Sequence, residues 1–414
     1  MSMGGYLDTE ALLTDLHKWV SAETLRKKNI EKYDLKVYGV DDKVDNYGSD
    51  IVFVDITAEN FDGEKRSYSL VVKYGQMMNE LRDKLPIRDA FEREIDVYTK
   101  LVLAFHTLQQ EKRLPIFNSI PKCFLSKFTP TEEVIILENL RQLGYTVYKK
   151  QTGMDVLHMK LVLKAYAHWH ALSFALKDQK KEEFQEITET WIKNPMKAFV
   201  GGVSGKLINA SQKQVFEILR NEDKEDLLEK YTRKIGKKNF VEILMNLLSN
   251  EDAQSVVLHG DCWSSNFLFQ YDDGDTEQQI CKKVALVDFQ MSSVNSPVFD
   301  LSYFIYSVAD KDGLTHFEEL LNYYYDHFSN YLIELGSDPG VIFSYSDLLR
   351  HWRQYSIYGA VLSPMILMLV LNDKTLDFLL DNDNFYDISK DTVKKNEYKE
   401  RIIAIAQHFL NHFG

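Results

Sequence analysis

Two polar segments, each beside an apolar run, hold the residues best suited to chemistry. The run 256–258 leads into a loop that carries Asp261 and, five residues later, Asn266, and the apolar run 284–287 ends at Asp288. If the residues after Asn266 pair with the run before Asp288, antiparallel geometry returns the end of the second strand to the start of the first. We therefore expect Asp288 to lie beside Asn266.

Two carboxylates and an amide carbonyl form an oxygen-rich cluster suited to Mg²⁺, which keeps several waters and shares phosphate oxygens. In phosphoryl transfer of the kinase type, one Asp accepts the proton of a hydroxyl nucleophile while an Asn and a second Asp hold metal. The alternative is a surface loop in which Asp and Asn make turn hydrogen bonds. The paired strand that ends in Asp288 favours the site.

A phosphate-holding cation is expected near such a site, and Lys73 closes an apolar strand-like run. In the following helical segment, Glu94 shares the apolar face with Phe91 and Tyr98, so this carboxylate needs a partner. Lys73 would supply it, and the ion pair would hold the ammonium against the phosphates. Glu92 is the competing carboxylate, but it lies about 200° round the helix from Glu94 and is expected to face solvent.

The sequence lacks the standard motifs of a glycine-rich phosphate loop. Neither G-x-G-x-x-G nor G-x-x-x-x-G-K-[ST] occurs, and the best candidate is Tyr47, Gly48 and Ser49, between the first two predicted strands. A turn is the simpler interpretation of such a segment, so its nucleotide-binding role rests on position alone.

The elements that would position these residues change in type near residue 138. Before it, an opening helix and a strand-rich region with one main helix are predicted; after it come long helices, interrupted by the hairpin that carries the polar loops. We predict an α+β, bilobal fold. Residues 1–138 form an N-terminal lobe with the opening helix, an antiparallel β-sheet and the Lys/Glu helix, and residues 139–414 form a mostly helical C-terminal lobe with the catalytic and metal-binding loops. A cleft between such lobes is a common ligand site.

Composition excludes several classes. The 414 residues are 45% apolar, which is typical of packed globular proteins, and the net charge of −13 disfavours nucleic acid and anionic membranes as partners. The three cysteines lack the spacing of a zinc site or a disulfide framework. The longest apolar run, 360–371, is too short to span a membrane and is expected to be core helix that could also wall an apolar acceptor pocket. We expect a cytoplasmic protein, monomeric or weakly dimeric, with no membrane span.

Together, the motifs resemble one known family. His259-Gly260-Asp261 through Asn266, then Val287-Asp288-Phe289-Gln290, then Ser296-Pro297-Val298-Phe299-Asp300-Leu301 are similar to the ecdysteroid kinase-like (CHK kinase-like) family. That family lies within the aminoglycoside and choline phosphotransferase branch of the protein-kinase-like fold. The resemblance extends from about Lys36 to near Ser363.

This resemblance implies roles by position. Asp261 resembles the catalytic base, Asn266 and Asp288 the metal ligands, and Lys73 and Glu94 the phosphate-holding pair. The resemblance also implies ATP and Mg²⁺ as cofactors.

Other residues receive supporting roles from the same resemblance. The backbone of Glu138, Asn139 and Leu140 is expected to meet adenine, His259 to orient the catalytic loop, and Asp300 to buttress that loop from a helix start.

The sequence thus predicts an ATP- and Mg²⁺-dependent phosphotransferase that acts on an alcohol of a small lipophilic molecule. Steroid hydroxyls are the acceptors the family name suggests, followed by plant-derived or detoxified alcohols; a choline-like or aminoglycoside-like alcohol is an alternative. A catalytically silent kinase-like module that binds a nucleotide or lipophile is the rival interpretation. A protein kinase is disfavoured because H-R-D, D-F-G and A-P-E motifs are missing.

Overall fold

The computed structural model describes residues 30–40, 49–60, 63–75, 82–83, 85–130, 132–148, 153–191, 193–236, 239–250, 252–272, 281–371 and 392–412. The predicted opening helix and the phosphate-loop candidates Tyr47 and Gly48 lie outside these residues.

The first lobe is built on an antiparallel five-stranded sheet with the order β1-β2-β3-β5-β4. Its strands are β1 (Ile30–Val40), β2 (Ser49–Asn60), β3 (Lys65–Gly75), β4 (Cys123–Phe128) and β5 (Glu133–Glu138). In β2, Val52, Val54, Ile56 and Ala58 are buried and alternate with less buried residues, as expected for a strand with one face on a core. This period of two fixes which side chains of the neighbouring β3 face the same way.

A helical segment crosses this lobe between β3 and β4. It consists of α1 (Ile87–Asp96), a π turn (Val97–Leu101) and α2 (Val102–Glu111). The sequence predicts one uninterrupted helix over 89–105; the π turn interrupts it, yet the apolar side chains of the predicted face remain buried.

The larger lobe is mostly helical. Its helices are α3 (Val156–Gln179), α4 (Lys181–Glu189), α5 (Pro195–Gly201), α6 (Val203–Asn221), α7 (Glu225–Ile235), α8 (Phe240–Leu248), α9 (Val298–Val308), α10 (Lys311–Thr315), α11 (Phe317–Glu334), α12 (Pro339–Ile342), α13 (Tyr345–Tyr355), α14 (Ile357–Val370) and α15 (Thr392–His412). The predicted core helix after residue 360 is the buried α14. In the part of the chain that the structure describes, no helix is both long enough and apolar enough to cross a membrane.

Short strands interrupt these helices in two separate sheets. The strands are β6 (Tyr145–Val147), β7 (Val256–Val257), β8 (Phe267–Tyr271), β9 (Cys281–Leu286) and β10 (Val294–Asn295), and two 3-10 helices span Leu140–Leu143 and Ser264–Asn266. The predicted hairpin of β8 and β9 is present, with β6 as a third strand, whereas β7 pairs with β10 instead of joining that hairpin.

The buried apolar residues that the structure describes form one large core, a smaller core under the sheet and a third, minor cluster at Leu140, Tyr145 and Ala285. The sheet has its own small core around Val54, Ile56 and Leu70. The large core of the helical lobe also includes Phe91, Tyr98 and other buried residues of α1, the π turn and α2. The helix that carries Glu94 therefore packs into the core of the larger lobe, although in the chain it follows strand β3 of the sheet.

Candidate active site

Lys73 lies at the junction of the two lobes. It sits in β3 opposite Ile51 of β2 and Ile135 of β5, and its ammonium Nζ donates to Glu94 Oε2 at 2.6 Å and to Asp288 Oδ1 at 2.7 Å. Burial alone would lower the pKa of Lys73, but the charges of Asp288 and Glu94 outweigh it and hold that pKa above its usual value. The buried ammonium is therefore charged and fixed by two carboxylates.

Glu94 reaches Lys73 from the buried face of α1. Its side chain is 1% exposed, whereas Glu92 is exposed to solvent. Burial raises the pKa of Glu94, and the adjacent Lys73 ammonium opposes that rise. The structure thus places Glu94, and not Glu92, in contact with Lys73.

Asp288 turns the chain sharply after β9. The strand β9 ends at Leu286, and two residues later Asp288 has a φ of 69°, a left-handed conformation outside the extended region of strands. The Val287 N–H donates to the Asn266 carbonyl at 3.1 Å, so the ends of the two strands meet. Asp288 consequently follows directly after a residue bonded to Asn266.

The loop after β7 is held by a buried carboxylate of α9. Asp300 Oδ2 accepts from the His259 N–H at 2.7 Å, and Asp300 Oδ1 accepts from the Gly260 N–H at 2.9 Å. Burial alone would raise the pKa of Asp300. The hydrogen bond with His170, the interactions with the His170 and His259 rings and the hydrogen bond from the Gly260 N–H outweigh burial and lower that pKa. Asp300 fixes the backbone of this loop just before Asp261.

His259 joins this loop to the segment before Asp288. Burial lowers its pKa, which favours the neutral ring. In that form Nε2 donates to the Val287 carbonyl at 2.9 Å, and Nδ1 accepts from the Asp261 N–H at 3.3 Å. One imidazole thereby ties the two polar loops together.

Gly260 allows this close approach. Its φ is 87°, and a Cβ there would lie 2.2 Å from the carbonyl oxygen of Met291. Only glycine fits between the loop and the chain that follows Asp288.

The Asp261 carboxylate is half-buried and faces an apolar cleft. The pKa of Asp261 is raised to about 7. Burial is the largest cause and the negative charge of Asp288 acts in the same direction, whereas hydrogen bonds from Asn266, Tyr303 and Trp263 oppose the rise. The Tyr303 hydroxyl donates to Asp261 Oδ1 at 3.2 Å. A carboxylate whose pKa is raised is a better proton acceptor near neutral pH than an ordinary aspartate.

The cleft in front of Asp261 is open to solvent and holds about 680 Å³ of empty space, its open mouth included. Its walls come from α1 and the residues just before it, α5, α9, α14 and the loops after β7 and β9. It is lined by Leu85, Pro86, Ile87, Ala90, Met196, Phe199, Asp261, Trp263, Gln290, Met291, Tyr303, Leu362, Ile366 and Leu369. Most of these side chains are apolar, and within the described part of the chain Asp261 is the one ionised group among them.

The predicted hinge is well defined in its backbone contacts. The Glu138 N–H donates to the Lys122 carbonyl at 2.8 Å, and the Asn139 N–H donates to the Ser69 carbonyl at 3.0 Å. The Asn139 side chain caps the 3-10 helix that begins at the buried Leu140. The contact of these residues with adenine stays a prediction.

Of the predicted phosphate loop, only Ser49 falls within the described residues, where it is buried at the start of β2. The nucleotide-binding role of Tyr47, Gly48 and Ser49 also stays a prediction.

Sequence reasoning missed two residues that contact this machinery. Tyr303 lies one helical turn after Asp300 on α9, and this i, i+3 spacing was the available signal. His170 bonds to Asp300 at 3.1 Å and to the Tyr324 hydroxyl at 2.9 Å. Cys262 is fully buried against Asp300, and burial raises its thiol pKa well above the usual value.

The donor set of this region fits Mg²⁺. Asn266 Nδ2 donates to the Asp261 carbonyl at 3.0 Å, so the amide oxygen is the group left for a cation, and Asp288 offers a carboxylate beside it. No cluster of three or more His, Cys, Asp or Glu side chains that could hold a metal occurs among the described residues. A site with one carboxylate and one amide oxygen matches Mg²⁺ that is completed by phosphate oxygens and water.

A comparison with protein families identifies the relatives of the chain. The sequence model of the ecdysteroid kinase-like family matches residues 43–337, most of the chain. The chain belongs to the ecdysteroid kinase-like family. The small antiparallel β lobe and the larger helical lobe agree with the α+β, bilobal fold that the sequence predicts.

A solved structure is also similar to the chain. Its description reads "Putative fructosamine-3-kinase" from Haemophilus somnus 129PT, with 12% identity and a TM-score of 0.33, and the match covers 88% of this chain and 98% of that one. None of the curated proteins matches the chain significantly.

Proposed function

We propose that this protein transfers the γ-phosphoryl group of ATP, with Mg²⁺, to a hydroxyl of a small lipophilic alcohol. One observation carries the proposal. The Asp261 carboxylate faces an apolar cleft, and next to it Asp288, in the loop after β9, accepts a hydrogen bond from the Lys73 ammonium, which also donates to Glu94. Membership in the ecdysteroid kinase-like family supports the reaction class.

Lys73 would hold the phosphates. Its ammonium is already charged and oriented by Glu94 and Asp288, so little reorganisation is needed when phosphate oxygens approach. Mg²⁺ held by Asn266 and Asp288 would offset the negative charge of the phosphate oxygens.

Asp261 would act as the base. Its carboxylate takes the proton of the acceptor hydroxyl as the oxygen of that hydroxyl forms its bond to the γ-phosphorus, and the bond from that phosphorus to ADP breaks. His259 and Asp300 keep the loop in place without contacting the reacting atoms.

The lining of the cleft favours a lipophilic acceptor. A polycationic aminoglycoside needs several carboxylates, whereas this cleft offers mostly apolar walls and the single carboxylate that would serve as base. Steroids, ecdysteroids among them, and xenobiotic or plant-derived alcohols fit this description, so the reaction would serve hormone inactivation or detoxification.

The proposal assigns the lobes different tasks. Residues 1–138, with Tyr47, Gly48, Ser49 and the hinge at 138–140, would hold the nucleotide, and residues 139–414 would hold the metal and the acceptor. We place the protein in the cytoplasm, since its three cysteines are free thiols. The monomer or weak dimer stays a prediction.

The test is phosphate transfer from Mg-ATP to a panel of steroid, xenobiotic, choline-like and aminoglycoside alcohols. Wild type is compared with Ile366→Trp, which fills the cleft from α14, and with Ile366→Leu, which nearly conserves volume. Transfer to a lipophilic alcohol that is lost in Ile366→Trp and kept in Ile366→Leu supports the proposal. Transfer to a cationic alcohol, or to a lipophilic alcohol equally in both variants, contradicts the assigned acceptor site, and Mg-ATP binding without any transfer supports the silent module.

A further inference from the structure

The helix that carries Glu94 is fastened to the larger lobe by a short segment between α4 and α5. We define Thr190, Trp191 and Lys193 as the strap. The Trp191 indole Nε1 donates to Asp96 Oδ2 at 3.2 Å, and the Thr190 hydroxyl donates to the same oxygen at 3.3 Å. Asp96 is 7% exposed and is the last residue of α1.

Arg93 makes the second connection. Its guanidinium lies over the Trp191 ring, 4.2 Å from the ring centroid, and its Nη2 donates to the Lys193 carbonyl at 2.7 Å. Nη1 of the same side chain donates to the carbonyl of Ser292, in the segment that follows Asp288. Arg93 is 4% exposed, so these bonds form out of water, where breaking them leaves a buried charge.

Arg93 and Asp96 flank Glu94 on α1. The strap therefore holds the turn of helix that presents Glu94 to Lys73, and Ser292 links that turn to the polar loop of Asp288. A third contact, Lys193 to Asp89 at 2.8 Å, is exposed and contributes little.

We propose that Trp191 is a positioning residue for the Lys73–Glu94 ion pair, and that the strap keeps α1 in the orientation in which this pair forms. In kinase-type sites the Lys–Glu pair must be in place for transfer, and the position of its helix controls it. In this protein the strap fastens the helix to the larger lobe through Trp191, in addition to the contacts that the helix makes with the sheet. The inference rests on the proposed function for its effect on catalysis, but its effect on α1 does not depend on turnover.

The same strap shapes the cleft. α5 begins directly after it and supplies Met196 and Phe199 to the lining, while α1 supplies Ile87 and Ala90 from the opposite side. Release of α1 would separate these walls as well as the ion pair.

The experiment uses the full chain and two readouts. The first readout is hydrogen exchange of the amides of residues 91–96 in wild type, Trp191→Leu and Trp191→Phe. The control is Phe216→Leu, which removes a half-buried aromatic ring of α6 that packs on Tyr231 and Phe240. Trp191→Leu is expected to exchange at least about 5-fold faster, and Trp191→Phe, which keeps a ring for Arg93 but loses the N–H, by less. Phe216→Leu is expected to match wild type.

The second readout is a double-mutant cycle with Glu94→Gln on the KM for ATP. If Trp191 acts through Glu94, Trp191→Leu raises this KM about 10-fold alone and adds almost nothing to Glu94→Gln. The inference would be overturned if the two fold-increases in the KM for ATP multiply in the double variant. It would also be overturned if the exchange of residues 91–96 is unchanged in both Trp191 variants. If wild type shows no turnover, the proposed function fails, and the exchange measurement alone still decides the strap.

Discussion

The ion pair of Lys73 offers the most quantitative prediction, through Glu94→Gln. Breaking a buried pair by removing one partner costs roughly 3–5 kcal/mol. Lys73 keeps Asp288, and the amide oxygen of Gln still accepts from Nζ, so we expect the free energy of unfolding to fall by about 2–3 kcal/mol. Solvent screening does not reduce this figure, because the two side chains are 5% and 1% exposed. The affinity for Mg-ATP is expected to fall with it.

The assay is urea unfolding, followed together with calorimetric binding of Mg-ATP. Glu92→Gln is the matched control, because it makes the same chemical change two residues away on the exposed face and is expected to alter stability by less than about 0.5 kcal/mol. Equal losses in the two variants, or a neutral Glu94→Gln, would refute the reasoning that the apolar face of α1 selects the partner of Lys73.

Three further predictions address the loops and the fold. Asp288→Ala is expected to abolish the Mg²⁺ dependence of nucleotide affinity, measured by calorimetry with and without metal; an unchanged dependence would remove Asp288 from the metal site. Gly260→Ala is expected to destabilise the protein in urea by more than about 2 kcal/mol, because its Cβ would overlap the Met291 carbonyl at an unfavourable positive φ; a neutral result would show that the loop can shift. Burial lowers the pKa of His408 to about 3, so between about pH 6.5 and 3 the unfolded chain binds a proton that the folded chain excludes. The contribution of His408 to stability is then full above about pH 6.5 and falls on acidification by up to about 1.4 kcal/mol per pH unit. In His408→Gln, the free energy of unfolding in urea is expected to depend less on pH between about pH 4 and 7. An unaltered slope would contradict this assignment.

Much of the site follows from local patterns in the sequence. The helical period distinguishes Glu94 from Glu92, and strand pairing brings the end of β9 to Asn266, because both depend on neighbours a few residues apart or on one hairpin. The lobe order follows in the same way from the change of period near residue 138.

The remainder depends on contacts between distant segments, which no local period encodes. The pairing of β7 with β10, the bond between His170 and Asp300 and the strap at Trp191 each join residues about 40 to 130 positions apart, which requires the tertiary fold. The positive φ of Asp288 is likewise imposed by its surroundings, since aspartate alone does not require it.

The most direct measurement is transfer of the γ-phosphoryl group of ATP to the best alcohol of the panel, by wild type and Asp261→Asn in parallel, with Mg-ATP affinity measured on both. Wild type is expected to form the phosphate ester and ADP. Asp261→Asn is expected to lose turnover by at least about 10²–10⁴-fold, the usual contribution of a general base, with Mg-ATP affinity changed by less than about twofold. Undiminished turnover in Asp261→Asn, or loss of nucleotide binding together with turnover, would contradict the role of Asp261 as the base of an alcohol phosphotransferase.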